Sequence, residues 1–440
     1  MRLRAAPWSS AGVPAAQVGG RTRGRLDACY GSHPNPKDRR DACSTMTPCA
    51  CGARFRAAPL LALVSGFVLW VQAFGLAAEA SRNCFANPIC GGADPWVMQF
   101  AGHYLAAFSE RNRGIAIHSS ERLTALGPKH LVWTAPATGP ASEEVWAPEL
   151  HFLRGGWYIY FAASDGQNRN HRAWVLSSAG KDPLGPYRLH GPLYTGDDRQ
   201  LVVSNRWAID MTVRELGDKL YAIWSGWQDE RDVQHLFIAP MADPLTIAGS
   251  RVRICANDDC LWERVDESPQ RRGLEEAPEV LQHGGRTFVA FSCSGSWQPS
   301  YKIGLLEVKP GGDPLQPANW VKFPRPLLQS TQETWGVGHC SFVKSPDGTE
   351  DWVVYHAKLD RENGWRRAVF AQPFTWSKEG FPELGAPVAP GQLVPLPSGE
   401  SARPMPRAPK TREADEARHV ARRLQSKSSP LVLFDSLPGI

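Results

Sequence analysis

The chain has 440 residues, with 49 Lys and Arg against 44 Asp and Glu and a formal net charge of +5. The positive excess lies at the two ends, because residues 81–400 carry 31 basic and 36 acidic side chains. A mildly acidic globular part argues against nucleic acid as a partner. The 40 Gly and 37 Pro favour many turns over long helices, and the 17 Trp suit strands.

The N-terminal part of the chain predicts an export signal. Residues 57–80 are mostly apolar, Arg54 and Arg56 precede them, and Ala78-Glu79-Ala80 closes the run. A basic flank, an apolar stretch and an A-x-A end are typical of a cleaved secretory signal peptide. Residues 57–78 are also long enough to span a bilayer, so an uncleaved membrane anchor is the alternative. We expect a secreted protein, extracellular or periplasmic.

Residues 1–56 are interpreted as a leader. A signal peptide of ordinary length would start near Met46, and residues 1–45 show neither core periodicity nor a targeting pattern. We interpret residues 1–45 as an over-extended reading frame or a short disordered segment.

Six of the ten cysteines follow the signal, and export would permit disulfides among them. The close pairs Cys84/Cys90 and Cys255/Cys260 could each pin a loop. For Cys293 and Cys340, buried free thiols are the plainer interpretation. None of the spacings is typical of a zinc site.

One pattern recurs five times along residues 101–357: a polar turn with Gly, then an alternating strand that ends in aromatic and small residues. Period-2 alternation at intervals of 54 to 68 residues predicts an all-β repeat, with a four-stranded sheet in each period. Five small sheets that cannot each bury both faces favour a five-bladed β-propeller over an ordinary sandwich. The turn glycines are Gly102, Gly156, Gly217, Gly285 and Gly348.

A segment with polar residues precedes every copy of the repeat. The segments lie around Asp94, at residues 145–150, around Asp210, around Glu276 and at residues 338–342. We expect each to be the innermost strand of its blade, so that their polar side chains converge at the axis of the ring. The propeller is assigned to residues 81–400. Residues 401–440 are rich in Pro, Arg and Ser and are interpreted as a disordered tail.

Three of these segments each place one carboxylate where a buried, β-rich pattern otherwise calls for apolar or small residues: Asp94, Asp210 and Glu276. A buried carboxylate is costly unless it is paired, hydrogen-bonded or used in chemistry. Glycosidic bond cleavage requires two such acids, one to protonate the leaving oxygen and one to activate water or attack the sugar. A third can hold the pKa of the proton donor high. Glu275 and Glu279 could be mistaken for Glu276, and each acid taken alone has an ordinary structural reading.

An ordered series of motifs over residues 83–400 resembles glycoside hydrolase family 43, and most closely its secreted exo-α-1,5-L-arabinofuranosidase branch. The motifs are Asn87-Pro88-Ile89 with Ala93-Asp94-Pro95, Val145-Trp146-Ala147-Pro148-Glu149-Leu150-His151, Asp182 to Tyr187, Trp207 to Asp210, Ile238 to Pro244, Gly338-His339 and Ser345 to Trp352. The resemblance implies a five-bladed propeller with an axial active site that hydrolyses with inversion. It also implies Asp94 as the general base, Glu276 (before Ala277-Pro278) as the general acid and Asp210 as the residue that tunes and orients the acid.

Other positions follow from the same resemblance. Arg367 aligns with an arginine that reaches the pocket from the last blade, where it could bond a sugar hydroxyl and steady a carboxylate. His339 aligns with an axial histidine that in several members contacts a metal ion, often calcium. One His with waters is a poor calcium site by itself, so a structural calcium is considered and no cofactor is required.

The strand pattern places further side chains. Trp146 and Glu149 are expected to line the pocket as substrate-binding residues, and the alternative for Glu149 is that it supports the blade. Tyr158, Trp224 and Phe291 are expected to pack between blades.

The resemblance implies an inverting exo-acting α-L-arabinofuranosidase that acts on arabinan or arabinoxylan of the plant cell wall, and we expect a monomer. The same fold and acids would also serve a β-xylosidase or an endo-arabinanase, because loop shapes decide specificity. A carbohydrate-binding propeller without catalysis, or a scaffold for protein partners, is the alternative from a different class. The complete set of three acids argues against it.

Overall fold

The computed structural model describes residues 83–178, 180–198, 205–229 and 233–401, and this part of the chain is almost entirely β-strand. The predicted leader, the signal segment and the tail beyond residue 401 lie outside the described residues. No helix in the described part is long and apolar enough to cross a membrane.

Twenty-four strands and four short 3-10 helices make up the described fold. In chain order the strands are β1 (Cys84–Ala86), β2 (Cys90–Gly91), β3 (Trp96–Phe100), β4 (His103–Glu110), β5 (Gly114–Ser120), β6 (Lys129–Thr134), β7 (Glu143–Leu153), β8 (Gly156–Ser164), β9 (Arg172–Ser178), β10 (Tyr187–His190), β11 (Ala208–Leu216), β12 (Lys219–Trp227), β13 (Gln234–Asp243), β14 (Thr246–Ile247), β15 (Val252–Cys255), β16 (Glu275–His283), β17 (Arg286–Cys293), β18 (Lys302–Val308), β19 (Trp320–Lys322), β20 (Trp335–Lys344), β21 (Asp351–Lys358), β22 (Arg367–Trp376), β23 (Pro382–Glu383) and β24 (Leu393–Pro395). The 3-10 helices are Asn168–Asn170, Leu261–Glu263, Val265–Glu267 and Pro317–Asn319.

The strands form five antiparallel blades, which confirms the predicted five-bladed β-propeller. Blade 1 is β3–β6, blade 2 is β7–β10, blade 3 is β11–β15 and blade 4 is β16–β19. Blade 5 is β20–β23, completed at its outer edge by β2 from the start of the domain. The turn between the first and second strand of every blade holds a glycine with positive φ, which these tight reversals require: Gly102, Gly155, Gly217, Gly285 and Gly348.

Each pair of neighbouring blades encloses its own hydrophobic core. Trp224 lies in the cluster between blades 2 and 3, with Tyr158 packed against it. Phe291 lies in the cluster between blades 3 and 4. The expectation that these three aromatic residues pack between blades is therefore confirmed. Because a blade alone leaves both faces uncovered, the hydrophobic free energy of the fold comes from these seams.

A β-bulge interrupts the innermost strand of blades 2, 3, 4 and 5 at the same place. Two residues there oppose a single buried aromatic residue on the second strand, and the first of the two has a φ between 45° and 51°. Pro148 and Pro278 occupy the second bulge position, where the missing N–H leaves no gap in the sheet ladder. The bulges and their opposing residues are Ala147-Pro148 against Phe161, Asp210-Met211 against Trp224, Ala277-Pro278 against Phe291, and His339-Cys340 against Tyr355.

The ring is closed by the first residues of the domain. β2 pairs with β22, and β1 pairs with β24. Between them the buried side chain of Asn87 bonds the backbone of Ala371 twice, donating from Nδ2 to the carbonyl and accepting the N–H at Oδ1, both at 2.9 Å. One amide side chain thus replaces a pair of ladder hydrogen bonds at the closure.

The two predicted disulfide loops are absent from the structure. Cys90, Cys255 and Cys260 carry free thiols, so neither a Cys84–Cys90 nor a Cys255–Cys260 bridge is formed. Cys255 instead donates its thiol hydrogen to Glu275. Cys293 and Cys340 are buried free thiols, as expected.

Replacing Asn87 by Ala is expected to destabilise the propeller by about 2–4 kcal/mol, because it leaves a buried backbone N–H and carbonyl of Ala371 without partners. Urea unfolding of the purified domain measures this change. Asn319→Ala is the matched control, since that exposed amide makes one bond to a turn carbonyl and its loss is expected to change stability by less than about 0.5 kcal/mol. Equal midpoints for the two variants would contradict the closing role of Asn87.

Candidate active site

Asp94, Asp210 and Glu276 line one cavity of about 610 Å³ at the propeller axis, together with Trp146, His339 and Arg367. They come from blades 1, 3 and 4, so residues up to 182 positions apart in sequence meet in one place. A second cavity of about 530 Å³ adjoins the first on the side of Asp94. A polar, concave site with convergent titratable groups is typical of an active site.

Asp94 is held by three side chains from blade 5. Its Oδ1 atom lies 3.1 Å from Arg367 Nη1, 3.2 Å from His356 Nδ1 and 3.3 Å from His339 Nδ1. Burial alone would raise the pKa of Asp94, but Arg367 and the two histidines outweigh it and hold the pKa well below its usual range. Burial lowers the pKa of His356 to about 3, so at neutral pH the positive charge comes from Arg367.

Glu276 and Asp210 lie in the opposite electrostatic situation, because the net effect of their surroundings raises the pKa of each. Burial raises the pKa of Glu276, and the charge of Asp94 adds to the rise, while the polar side chains of Tyr301, Gln234 and Ser296 oppose it. Gln234 donates to the Glu276 carboxylate at 3.2 Å. Burial and the charge of Glu276 likewise raise the pKa of Asp210 well above its usual value. The pKa values of these two buried carboxyls are therefore shifted in the direction that favours the protonated form.

The geometry of Asp210 ties it to the strand that carries Glu276. Its Oδ2 accepts the backbone N–H of Ala277 at 3.0 Å, directly after Glu276 in the chain. This bond crosses from blade 3 to blade 4 and fixes the bulge on which Glu276 stands.

Similar bonds between blades recur around the axis. Ser109 Oγ donates to the carbonyl of Val145, Ser225 Oγ donates to that of Glu275, and Ser292 Oγ accepts the N–H of His339. His356 stands at the corresponding place in the second strand of blade 5 and accepts the N–H of Asp94 at Nδ1, 3.2 Å away. Sequence reasoning missed His356. The signal was present, because the last copy of the repeat has Tyr-His where three other copies end in an aromatic residue and Ser.

The predicted substrate-binding residues separate into two groups. Trp146 lines the cavity and stacks on His171, with ring centroids 4.0 Å apart, and Arg367 lines it beside Asp94. Glu149 does not line the cavity, contrary to expectation. It is buried, and its Oε2 lies 3.0 Å from His151 Nε2. Trp146 and Glu149 pair with alternate residues of β8, so both lie on the same face of the sheet, but Glu149 lies about 6–7 Å further along the strand.

His339 lines the cavity beside Asp94, but the residues around it fit calcium poorly. The protein offers one imidazole and the Asp94 carboxylate, and that carboxylate is already bonded by Arg367. Calcium takes six to eight oxygen ligands, most of which water would have to supply here. Within the described ranges, the one group of three side chains with metal-ligand spacing is Cys255, Glu263 and Glu275, away from His339.

That group already holds a cation of the protein. The Lys322 ammonium lies 2.6 Å from Glu263 Oε1 and 3.0 Å from Glu275 Oε1, and Cys255 donates to the same Glu275 oxygen. We call these four residues the Lys322 cluster. Glu275 therefore points away from the axial cavity, which removes it as a rival to its neighbour Glu276. Glu279 is also buried outside the cavity wall.

The model of glycosyl hydrolases family 43 matches residues 85–382 of this chain. The chain therefore belongs to glycosyl hydrolases family 43, and it is a glycoside hydrolase.

Two curated relatives share about a third of their aligned residues with it. The chain is 32% identical over 330 residues to the alpha-L-arabinofuranosidase 43 of Humicola insolens, covering 71% of this chain and 66% of that protein. It is 31% identical over 349 residues to the extracellular exo-alpha-(1->5)-L-arabinofuranosidase of Streptomyces avermitilis, covering 76% and 69%. The chain thus spans about two thirds of the length of these relatives.

A solved structure shares the fold over nearly its whole length. The crystal structure of an alpha-L-arabinofuranosidase from Lactobacillus brevis is 29% identical and matches with a TM-score of 0.64, covering 70% of this chain and 98% of that one. The resemblance seen in the motifs is confirmed by these comparisons.

Lys322→Met is expected to destabilise the domain by about 3–5 kcal/mol, because it leaves Glu263 and Glu275 buried without their cation. Without the ammonium, the folded-state pKa of both carboxyls lies further above the unfolded value. The folded state then loses stability as the pH rises, so the loss is expected to be larger at pH 8 than at pH 5. Thermal unfolding at the two pH values measures it.

Lys344→Met is the control for this experiment. Lys344 is half-exposed and its Nζ lies 2.7 Å from the Asp351 carboxylate, a surface pair worth about 1 kcal/mol or less. A Lys322 variant as stable as the Lys344 variant at both pH values would contradict the structural role of the cluster.

Proposed function

We propose that this protein is an inverting, exo-acting α-L-arabinofuranosidase that releases terminal arabinofuranosyl residues from arabinan or arabinoxylan. The observation that carries the proposal is the opposite tuning of two carboxyls in one cavity. Arg367 lowers the pKa of Asp94, and burial raises that of Glu276. A base and an acid with pKa values pushed apart are the requirement for acid–base hydrolysis near neutral pH.

In the proposed mechanism the terminal sugar lies between Asp94 and Glu276. Glu276 donates its proton to the glycosidic oxygen as the bond to the anomeric carbon breaks. Asp94 accepts a proton from a water molecule that attacks the opposite face of the same carbon, so the product has the inverted configuration. The adjoining cavity on the Asp94 side offers room for that water.

Asp210 has a positioning role in this scheme. Its bond to Ala277 holds the strand of the acid, and its buried carboxyl, coupled to Glu276, discourages loss of the proton that Glu276 must donate. No metal or cofactor takes part in any proposed step. An axial calcium at His339 stays an expectation from the family resemblance.

The names of the relatives support the substrate class and the exo mode. The Humicola insolens and Streptomyces avermitilis proteins are named arabinofuranosidases, and the second is named exo-acting and extracellular. We therefore propose an arabinose-containing polysaccharide of the plant cell wall as substrate. We also propose secretion through residues 57–80, with a monomer as the expected state. Structural relatives with xylosidase or endo-arabinase names are 17–18% identical and support the fold alone.

Asp94→Asn is expected to lower kcat by about 10²–10⁴-fold on every substrate, because it removes the general base. Glu276→Gln is expected to lower kcat on arabinan by a similar factor. The decrease should be smaller on a 4-nitrophenyl α-L-arabinofuranoside, because its leaving group needs less protonation. Asp313→Asn, at an exposed turn, is the control. Full activity of either variant on arabinan, with the fold intact by circular dichroism, would exclude the assigned roles.

Two readouts of the same wild-type reaction test the stereochemistry and the mode. NMR of the first-formed anomer should show inversion, and a retained anomer would exclude the mechanism. Debranched arabinan should yield arabinose alone, whereas early oligosaccharides would indicate endo-arabinanase activity.

Arg367→Met is expected to move the acidic limb of the kcat/KM profile to higher pH by about one unit or more. Removing the guanidinium disfavours the charged form of Asp94, so its pKa rises and the base is protonated at a higher pH. Arg366→Met is the matched control, since Arg366 is exposed and bonds Asp360 at 3.0 Å. An acidic limb that stays in place in the Arg367 variant would show that Asp94 is not the group that sets it.

A further inference from the structure

Two tryptophans stand at the mouth of the axial cavity on the side of blades 4 and 5. Trp297 belongs to the β17–β18 loop and Trp365 to the β21–β22 loop, and both line the cavity. Their ring centroids are 6.0 Å apart with the planes inclined at 55°. Trp365 is 64% exposed, the largest exposed fraction of any large apolar side chain in the described residues. We call the pair the rim tryptophans.

A large exposed apolar surface at the rim of a cavity is typical of a ligand-binding groove, because a ligand that covers it removes apolar area from water. The structure also holds the two loops in place. Gly364 N–H donates to the Trp297 carbonyl at 2.8 Å, and the buried Lys358 ammonium donates to the Gly364 carbonyl at 2.6 Å. Leu359 and Arg366 close the Trp365 loop with a backbone bond of 3.0 Å. The rim tryptophans are therefore presented on a fixed support, which lowers the entropy cost of binding a ligand between them.

The place of Trp297 relative to the proposed acid decides what it would contact. The Ser296 hydroxyl interacts with the Glu276 carboxyl, and Trp297 is the next residue. In the proposed reaction the proton of Glu276 goes to the oxygen of the leaving group. Whatever is attached to that oxygen must then lie beyond Glu276, on the side of Ser296 and Trp297, while the attacking water lies towards Asp94.

The remaining tryptophans of the cavity lie on other blades. Trp146 is in blade 2, and Trp207 precedes blade 3 and stacks on Trp227 with planes 12° apart. Trp146 and Trp207 thus line the cavity from blades other than those that carry the rim tryptophans.

We propose that Trp297 and Trp365 form the subsite for the leaving group, a neutral pentose ring whose apolar C–H face stacks on the indoles. This inference rests on the proposed function and names what the acid side of the same site recognises. Indole faces bind sugar rings without requiring a charge on the ligand, and arabinan and xylan consist of neutral sugars. In this proposal the rim tryptophans contact the leaving sugar and not the transferred one. Their loss should therefore affect only substrates that carry a leaving sugar.

The test compares two substrates that share the transferred sugar and differ in the leaving group, α-1,5-linked arabinobiose and methyl α-L-arabinofuranoside. Trp297→Ala and Trp365→Ala are each expected to lower kcat/KM for arabinobiose by about tenfold or more, with little change for the methyl glycoside. Trp365→Tyr is expected to restore most of the arabinobiose activity. Leu131→Ala, which changes an apolar side chain of similar exposure (59%) outside the cavity lining, should leave both substrates unaffected.

The pH profile separates direct contact from an effect through the base. Arg367 lies over the Trp365 ring, 5.3 Å from its centroid, and also bonds Asp94. If Trp365→Ala acts through Arg367, it would lower kcat/KM for both substrates and shift the acidic limb of the pH profile. That result would overturn the proposed subsite. Equal losses on both substrates in Trp297→Ala would overturn it as well. Wild-type enzyme that cleaves neither substrate would contradict the proposed function itself, and the subsite with it.

Discussion

The site depends on one backbone feature, the residue with left-handed (positive φ) conformation at the bulge in the innermost strands of blades 2 to 5. A regular strand would send alternate side chains to opposite faces, and a non-glycine residue with positive φ costs free energy, about 1–2 kcal/mol. Here the turned residue is Asp210 in blade 3, Ala277 after the acid in blade 4 and His339 in blade 5. Asp94 has the same φ just before β3. The aromatic cores between the blades and the bonds from one blade to the next hold these residues in place, so the stability of the ring compensates for their strain.

The electrostatic contrast between the acids follows from which blades stand next to them. Blade 5 supplies Arg367, His339 and His356 to Asp94, whereas Glu276 accepts a hydrogen bond from the neutral Gln234 and Asp210 lies within range of the Glu276 charge. All three carboxyls are deeply placed, so burial alone would push every pKa upward. The Arg367 guanidinium, with His339 and His356 beside it, lowers the pKa of Asp94 against this trend, while the pKa values of Asp210 and Glu276 stay raised. The difference in pKa between Asp94 and the other two acids thus depends on where Arg367 lies relative to the axis.

Much of the fold could be predicted from the sequence, because each copy of the repeat is marked by local sequence patterns. Turn glycines and alternating strands that end in aromatic and small residues recur at each blade and predicted five sheets. The polar segment before each copy predicted the strands nearest the axis. The three acids could be found because each breaks an apolar pattern. Glu149 was misplaced because linear sequence does not show depth along the axis: the bulge keeps it on the face of Trp146 but carries it below the cavity. Arg367 and His339 were expected from the family resemblance, whereas His356 was missed because its contact with Asp94 joins residues 262 positions apart.

The closure of the ring joins assembly of the fold to the chemistry of the site. Asn87 and β2 complete blade 5, and only seven residues after Asn87 the chain places Asp94 on the axis. The anchoring strand and the proposed base therefore arrive together, and both depend on β20–β22, which are translated last among the blades. A nascent or partly unfolded chain with four finished blades would contain Asp210 and Glu276 but would have no cationic partner for Asp94. Hydrolytic activity would then appear only in a late step of folding, when blade 5 is completed. Local unfolding of the β2–β22 pairing would abolish activity while most of the β-sheet remained intact.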